Sequence, residues 1–336
     1  MKMREFTYKL YNKLRAEFVL SVFTKKDYET YCSRYASYHH MKHGNPKCQE
    51  SFESAYLTAR PNPGAGIGHQ MANWIAGYWF ARYFNLKFAH TPFSDIENPL
   101  TANQWDSFLG FGNDEVQASD LIKKGWKKVI LPLFNEFDEN QVSIIRRIIS
   151  SYSGEKVVFY LEQDQFYHDQ YSVMDDIKRK FYKIHDRSSE RLEYDRNEFN
   201  IAVHVRRGDI VQKSDENNPN LTMRWLDNDY FVQALRYTLS IIHTDKDVHI
   251  YLFSQGEKED YAEFNAFPNV TYCLNMGAQE SFLHMVYADV IITSKSSFSY
   301  KSVLLSDGLK VCPKNFWHGY PESSDWILLD DEGKRI

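Results

Sequence analysis

The sequence predicts an α/β protein in two halves, each built on a parallel sheet, with a helical extension at the N-terminus. Its 336 residues suit two domains of about 150 residues each. Near residue 60 an extended segment runs into a glycine-rich turn and then a helix, which is how a β-α-β unit opens. From residue 200 onward, short apolar strands alternate with amphipathic helices, as in a parallel sheet covered on both faces. We therefore place the extension at 1–54 and the two α/β halves at 55–185 and 186–336.

The first half opens with the extended segment Ala55–Arg60, followed by prolines and glycines and then a helix from His69 to Phe84. Residues 27–54, before it, are polar and lack clear periodicity, so they predict no regular element. The other elements predicted in this half are strands at Leu86–Ala89, Lys128–Pro132 and Lys156–Leu161 and helices at Gln141–Ser151 and Met174–Tyr182.

The second half shows the alternation more clearly, beginning with the apolar strand Asn200–Val205 and the amphipathic helix Tyr230–His243. The carboxyl ends of parallel strands lie at one edge of a sheet, so polar residues that follow these strands are expected to gather there. The later predicted elements are strands at Val248–Ser254, Val270–Leu274 and Val290–Ser294, helices at Gln279–Tyr287 and Phe298–Ser306, and a last strand at Lys310–Cys312.

Composition excludes several classes of protein. Hydrophobic residues make up 43% and charged residues 25%, which rules out a collagen-like or largely disordered chain. The net charge of −5 gives no basic field to attract nucleic acid, so no nucleic-acid partner is expected. No apolar run approaches the roughly 20 residues of a membrane span. Four cysteines without a Cys-x-x-Cys pair disfavour structural zinc and indicate a reducing, cytoplasmic setting.

The first 26 residues carry seven Lys or Arg against two Glu, a local charge of +5 on a body of −10. Apolar residues recur there every three or four positions, which predicts an amphipathic basic helix. Such a helix either packs onto the body with a solvated basic face or lies on an anionic membrane surface, here the inner face of the membrane.

The first candidate for chemistry is the glycine loop Gly64-Ala-Gly66-Ile-Gly68-His69-Gln70. Closely spaced glycines let a backbone bend tightly and approach a ligand, while the next helix presents free N–H groups to an anion. The loop matches neither the dinucleotide fingerprint nor a P-loop, so a plain tight turn is the alternative.

The second candidate is His204-Val205-Arg206-Arg207-Gly208-Asp209, where an apolar strand ends in two arginines and a carboxylate. Arginine offers a planar charged fork suited to phosphate, and the end of a strand is where α/β sheets bind ligands. Asp209 either orients an arginine or acts as a base. The alternative is an ordinary surface ion-pair turn.

The third candidate, Ser294-Lys-Ser296-Ser297-Phe298-Ser299, also follows a strand and starts a helix, so it predicts either an anion cradle or simple capping. Ser254-Gln255-Gly256 ends another strand. Three strands thus deliver polar residues to one edge of the sheet, which favours a site for a phosphorylated ligand, most simply a nucleotide.

Taken in order, these motifs resemble those of the α-1,2-fucosyltransferases of glycosyltransferase family 11, and more distantly those of the α-1,6- and protein O-fucosyltransferases. The resemblance extends over about residues 56–315 and includes Asp229-Tyr230-Phe231 with Ala234. It implies two Rossmann-like domains facing a cleft (the GT-B type). It also implies inverting transfer of L-fucose from GDP-fucose to a glycan hydroxyl without a required metal or other cofactor. The donor would bind the second half and the acceptor glycan the first.

Residue roles follow from the same resemblance. Arg206 matches the arginine expected to hold the donor diphosphate, and Asp209 is the candidate base that activates the acceptor hydroxyl. The remaining residues matched to donor binding are Gly66, Gly68, His69, Gln70, His204, Arg207, Ser254, Gln255, Ser296, Ser297 and Phe298.

The sequence also departs from that family. His69 stands where the family usually has Asn, and Tyr300-Lys301 stands where Trp is frequent. These departures leave open a transferase for another nucleotide sugar. A non-catalytic sugar- or nucleotide-binding module is a second alternative, and a membrane-associated scaffold, supported by the basic N-terminal helix alone, is a third.

Overall fold

The computed structural model describes residues 28–44, 55–62, 65–93, 99–162, 165, 167–208 and 223–336, with the backbone alone at 99–103. The predicted helix within residues 1–26 and the candidate base Asp209 lie outside the described residues.

The described chain contains eleven strands and ten α-helices. The strands are β1 (Ala55–Ala59), β2 (Lys87–His90), β3 (Val116–Gln117), β4 (Lys127–Ile130), β5 (Val157–Leu161), β6 (Phe199–His204), β7 (Val248–Ser254), β8 (Val270–Leu274), β9 (Val290–Ile292), β10 (Leu309–Pro313) and β11 (Trp326–Leu329). The helices are α1 (Tyr28–Cys32), α2 (Ala36–His43), α3 (Ile67–Tyr83), α4 (Pro99–Leu109), α5 (Ala118–Lys123), α6 (Glu139–Ser151), α7 (Met174–Tyr182), α8 (Asn228–Ile241), α9 (Ala278–Tyr287) and α10 (Ser297–Leu305). Shorter 3₁₀ segments occupy Gln170–Val173 and Lys258–Ala266.

The chain forms two compact units, each with its own parallel sheet. So far as they are described, the first unit comprises Met1–Asn62, Asn73–Thr91 and Asp114–Tyr167, and the second comprises Pro63–Ala72, Pro92–Asn113 and His168–Ile336. The predicted fold class, α/β with two Rossmann-like domains, is confirmed. The predicted cleft between the two halves stays a prediction.

The bounds of the units differ from the predicted boundary at residue 185. The glycine loop and the segment Pro92–Asn113 lie in the first half by sequence, yet they belong to the second unit. The physical reason for the loop is its close packing on α10. A methyl group on Gly68 would lie 2.5 Å from the carbonyl carbon of Ser297, so the two backbones are in direct contact.

In the first unit the strands lie in the order β3-β2-β1-β5-β4, and all of the pairs are parallel. Its core gathers apolar residues of β1, β4, β5, α3 and α6. At the middle of α3, a methyl group on Gly77 would lie 2.7 Å from Ala59 Cβ, so this glycine lets the helix pack closely on β1.

The two helices α1 and α2 fall in the polar segment where the sequence predicted no element. They are fixed to the first unit by long-range contacts. Tyr28 donates a hydrogen bond to the Leu133 carbonyl at 2.8 Å, and Ser37 donates one to the Ile130 carbonyl at 2.7 Å. Because tertiary packing and not periodicity stabilises them, pattern reasoning did not find them.

In the second unit the strands lie in the order β11-β10-β9-β6-β7-β8, again all parallel. The sequence prediction ended at β10, but β11 adds a sixth strand, with Val311 opposite Ile327. The core is formed by residues such as Val203, Leu252 and Ile292, which are completely buried. Burial on both faces explains why these strands read as continuous apolar runs.

The order of these six strands reverses at one place. Counted from β6 as the first, they follow the pattern 3-2-1-4-5-6 of doubly wound nucleotide-binding sheets. The chain proceeds from β6 to one side through β7 and β8, then returns to β9 on the other side. In such sheets ligands bind beyond the carboxyl ends of the two strands at this switch point, here β6 and β9.

Candidate functional site

Two of the three sequence motifs meet at the switch point of the second unit. The arginine motif follows β6 and the serine motif follows β9, and these neighbouring strands pair with Val203 opposite Ile292. His204 Nδ1 and Ser294 Oγ share a hydrogen bond of 2.9 Å across the junction. The topology therefore brings together residues that are 90 positions apart in the sequence.

His204 lies at the base of this junction as a neutral imidazole. Burial, with the charge of Arg206 adding to it, lowers the pKa of His204 to about 3. Its ring packs 5.7 Å from the ring of Phe298. At neutral pH the ring therefore contributes a hydrogen bond and packing to the site, and not a charge.

Arg206 brings the positive charge to the start of α10. Its Nη1 donates a hydrogen bond to Ser296 Oγ at 3.1 Å. Ser296 is the N-cap of this nine-residue helix, and its Oγ also accepts from the backbone N–H of Phe298 at 3.3 Å. The first turn of a helix has backbone N–H groups without intrahelical partners and carries a partial positive charge. A guanidinium and a helix N-terminus thus converge on one point, which is an arrangement that binds phosphate.

The side chain of Arg207 packs back onto the loop that follows β6 and does not extend away from it. Its Nη1 donates to the Arg206 carbonyl at 2.9 Å, and its Nη2 donates to Asn228 Oδ1 at 2.7 Å. The guanidinium also stacks over the Trp225 ring, 4.0 Å from the centroid. These contacts fix the backbone that carries Arg206, so the geometry gives Arg207 a positioning role. Its predicted contact with a donor stays a prediction.

The predicted residues after β7 support the same loop. Ser254 Oγ donates to the Val205 carbonyl at 2.6 Å and shares a 2.5 Å hydrogen bond with the Tyr261 hydroxyl. Gly208 has a φ of +48°, and a Cβ there would collide with the Gln255 side-chain amide. Glycine is needed at this position both for the left-handed backbone and for the space that Gln255 occupies.

The glycine loop is distant from these motifs in the sequence but contacts the same site. Gly68 lies against the backbone of Ser297 and Phe298, so no side chain fits there. A Cβ on Gly66, in contrast, meets no atom within 4 Å. Gln70 Nε2 donates to the Ala65 carbonyl at 2.9 Å and closes the loop internally. Gly68 and Gln70 therefore shape the loop, and Gly66 lies on its open side.

His69 follows Gly68 in the first turn of α3. Burial lowers the pKa of His69 to about 4, and the positive charges of Arg224 and Lys301 act in the same direction. The imidazole is therefore neutral at physiological pH.

Taken together, the structure connects His204, Arg206, Arg207, Ser254, Gln255, Ser296, Ser297, Phe298, Gly68 and Gln70 through direct contacts at one edge of the second unit. Asp209, the predicted base, lies outside the described residues, so it has no observed position.

Sequence reasoning missed the residues that hold Arg207. Trp225 stacks on it, and Asn228, the first residue of α8, accepts its hydrogen bond while donating to the Asp260 carbonyl at 2.8 Å. No local pattern marked Trp225. Asn228 directly precedes the Asp229-Tyr230-Phe231 motif. The start of that helix was therefore the one signal in the sequence that pointed to Asn228.

Two further properties of the described residues bear on function. Within them, no group of three or more His, Cys, Asp or Glu side chains is placed to hold a metal ion. None of the helices in the described ranges is both long enough and apolar enough to span a membrane.

No protein-family model matches the sequence, and no curated protein matches it. Similarity is found among solved structures. The fucosyltransferase NodZ from Bradyrhizobium is 15% identical, with 75% of this chain and 93% of that chain covered and a TM-score of 0.42. POFUT1 in complex with GDP is 12% identical, with coverage of 78% and 99% and a TM-score of 0.47. A mutant of Arabidopsis thaliana FUT1 in complex with GDP is 10% identical, with coverage of 90% and 76% and a TM-score of 0.44.

Proposed function

We propose that this chain is a glycosyltransferase that takes its sugar from a nucleoside diphosphate sugar bound at the carboxyl ends of β6 and β9. One observation carries the proposal. Arg206 and the N-terminus of α10 converge at the switch point of a sheet with the 3-2-1-4-5-6 order. This is the place and the chemistry for a diphosphate.

The same arrangement suits the bond that must break. In transfer, the acceptor hydroxyl oxygen attacks the anomeric carbon, its proton passes to a base, and the nucleoside diphosphate leaves with the bonding electron pair. Negative charge therefore grows on the phosphate oxygen. With the diphosphate bound as proposed, Arg206 and the first turn of α10 stabilise that charge and lower the barrier to departure of the nucleoside diphosphate.

The finer assignment rests on the sequence motifs. Their resemblance to fucosyltransferases supports L-fucose from GDP-fucose as donor, a glycan hydroxyl as acceptor, inversion at the anomeric carbon, no required metal and the GT-B arrangement. Asp209 is the proposed base. The half at 55–185 is proposed to bind the acceptor and the half at 186–336 the donor. We further propose that the protein acts in the cytoplasm, with residues 1–26 as a contact to anionic membrane.

A different nucleotide sugar is the second candidate donor. His69 replaces the Asn that is usual in the resembled family, and it lies among cationic groups. A different side chain in this loop changes the contacts available to a bound donor. The identity of the donor is therefore tested with several nucleotide sugars.

The test is an assay of nucleotide release. The full chain is incubated with GDP-fucose and, in parallel, with other GDP- and UDP-sugars, each with and without a panel of glycan acceptors. We expect acceptor-dependent release of GDP from GDP-fucose. If nucleotide is released only from another nucleotide sugar, the assignment of GDP-fucose as donor is wrong and the assignment as a glycosyltransferase is retained.

The control is Arg206→Ala, with circular dichroism to show that the variant is folded. We expect it to abolish release. If the wild type binds nucleotide sugars but releases nothing with any acceptor, the chain is a binding module and not a transferase.

A further inference from the structure

A cavity of the second unit lies at the opposite edge of its sheet from the candidate site. It is bordered by Ala288, just before β9, and by Gly308, directly before β10, and thus by the amino ends of two parallel strands. The candidate site lies beyond the carboxyl ends of β6 and β9. The volume of the cavity is about 520 Å³, which is in the range of small-molecule sites. We call it the amino-edge cavity, and its walls include Tyr182, His185, Asp186, Arg187, Tyr287 and Asp307.

The floor of the amino-edge cavity is fixed by the backbone. A Cβ on Gly308 would collide with the carbonyl oxygen of Ala288, so the segments before β9 and β10 lie in direct contact. The backbone N–H of Leu309 donates to the Asp289 carbonyl at 2.9 Å and joins the same two segments. The floor therefore belongs to the sheet itself and is as rigid as the start of its strands.

The wall formed by the end of α7 is also held in place. The Tyr182 hydroxyl donates to the Leu305 carbonyl at 2.9 Å, which ties α7 to the end of α10. His185 fixes the loop that follows α7: its Nε2 donates to the Phe108 carbonyl at 2.6 Å, and its Nδ1 lies 2.5 Å from Glu190 Oε1. A ligand that enters this cavity meets a preformed wall, so little ordering opposes its binding.

Two tyrosines give the cavity an aromatic side. The rings of Tyr182 and Tyr287 lie with their centroids 6.0 Å apart, at an angle of 54°. Tyr287 is 4% exposed, and its hydroxyl has no hydrogen-bond partner among the described residues. Buried hydroxyl groups are nearly always hydrogen-bonded, so this one indicates a partner from outside the chain. An apolar ring with a polar tip suits a ligand that has both C–H and O–H groups.

The charged residues of the cavity carry both signs. Arg187 is exposed, and its guanidinium forms no ion pair within the part of the chain that the structure describes. Two carboxylates line the same cavity, those of Asp186 and Asp307, and Asp307 lies 2.8 Å from Lys178 Nζ. An anionic ligand would meet the carboxylates and a cationic ligand would meet Arg187. A neutral ligand with several hydroxyl groups uses both, because a hydroxyl donates to carboxylates and accepts from guanidinium.

We propose that the amino-edge cavity binds a neutral mono- or disaccharide unit of a glycan. The tyrosines take the apolar face of the sugar ring, and Arg187 with the two aspartates takes its hydroxyl groups. This binding does not depend on the proposed function, because none of the residues that line the cavity belongs to the candidate site. In a transferase, a second saccharide site retains a long glycan on the enzyme between transfers and raises its effective concentration.

The experiment measures sugar binding by saturation-transfer difference NMR titration. The neutral probes are glucose, galactose, mannose, L-fucose, N-acetylglucosamine and lactose, and the charged probes are glucuronic acid and glucosamine. We expect the wild type to bind at least one neutral sugar and to bind both charged probes more weakly. Arg187→Ala should weaken binding of the neutral sugar about tenfold, equivalent to one charge-assisted hydrogen bond.

Two more variants complete the test. Tyr287→Phe should weaken binding several-fold without lowering the temperature of thermal unfolding, because the hydroxyl that it removes has no partner in the fold. Arg191→Ala is the matched control, since Arg191 is an exposed arginine of the same segment that does not line the cavity. It should bind sugars as the wild type does.

Three results would overturn the proposal: no binding of any neutral sugar, tighter binding of glucuronic acid than of the neutral sugars, or wild-type binding by Arg187→Ala. The last is also the result expected for a sugar that binds elsewhere, as in the half proposed for the acceptor. Sugar binding that depends on Arg187, in a protein that releases no nucleotide from any donor, would retain the cavity and reject the proposed function. Nucleotide release by a protein with unchanged sugar binding in Arg187→Ala would do the reverse.

Discussion

Arg206 Nη1 donates a 3.1 Å hydrogen bond to Ser296 Oγ, and these residues are 90 positions apart. The same Oγ caps α10 by accepting from the Phe298 N–H. One serine hydroxyl therefore orients the arginine and also caps the N-terminus of the helix that faces the proposed diphosphate. Both devices depend on β6 and β9 being neighbours in the sheet.

Ser296→Ala is expected to weaken both functions of this hydroxyl. Loss of the cap costs about 1 kcal/mol of folding stability, and loss of the contact to Arg206 weakens GDP binding several-fold. Denaturant unfolding and calorimetric titration with GDP measure the two effects. Asp138→Ala is the matched control, because Asp138 caps α6 in the other unit by accepting from Asn140 and Gln141. It should lose similar stability and bind GDP normally. Equal GDP affinity in both variants would reject the role of Ser296.

Arg207→Lys tests the positioning role. Lysine keeps the charge but loses the fork that contacts the Arg206 carbonyl and Asn228 and that stacks on Trp225. We expect a loss of about 1–3 kcal/mol of stability and a smaller loss of GDP affinity than in Arg206→Lys. A variant with wild-type stability and the GDP affinity of Arg206→Lys would show that Arg207 contacts the ligand itself.

The two glycines of the loop are predicted to respond differently to alanine. A methyl group on Gly68 meets the Ser297 and Phe298 backbones at 2.5 and 2.6 Å, so the loop must shift, at a cost of roughly 1–3 kcal/mol. Gly66 has room, and Gly66→Ala should leave stability within about 0.5 kcal/mol of the wild type. Thermal unfolding of both variants decides this. A destabilised Gly66→Ala beside an unaffected Gly68→Ala would contradict the packing described.

Folding stability is predicted to fall in mild acid because of His204. The unfolded histidine binds a proton below about pH 6.5, whereas in the folded protein the pKa is about 3. The unfolded state therefore binds more protons between these values, and stability decreases as the pH falls through this window. Urea unfolding at pH 7 and at pH 4.5 should show a smaller decrease for His204→Asn than for the wild type. The exposed His43→Asn should behave as the wild type does, and an identical decrease in all three proteins would show that His204 is not responsible.

Much of the second unit could be predicted from the sequence, since buried parallel strands leave strong local patterns. The strand Val248–Ser254 was predicted with its observed bounds, as was Val270–Leu274. The arginine and serine motifs were recognised because a charged or hydroxyl run directly after an apolar strand is a local signal. Their direct contact was not predictable in detail, since it depends on the order of strands.

Features set by distant packing were not found in the sequence. Helices α1 and α2 are held by carbonyls more than 90 residues away. The inclusion of the glycine loop in the second unit depends on the contact of Gly68 with α10. In the sequence, Lys301 is notable only as a departure from a family motif. Its burial beside Gln170 depends on three separate segments of the chain that meet in the fold.

The proposed role of Arg206 and the N-terminus of α10 is to bind the diphosphate of a nucleotide sugar. Calorimetric titration of the wild type and of Arg206→Ala with GDP and with guanosine tests it most directly. We expect the wild type to bind GDP much more tightly than guanosine, and Arg206→Ala, still folded, to lose that preference by at least about tenfold. A folded Arg206→Ala that binds GDP with wild-type affinity would contradict it.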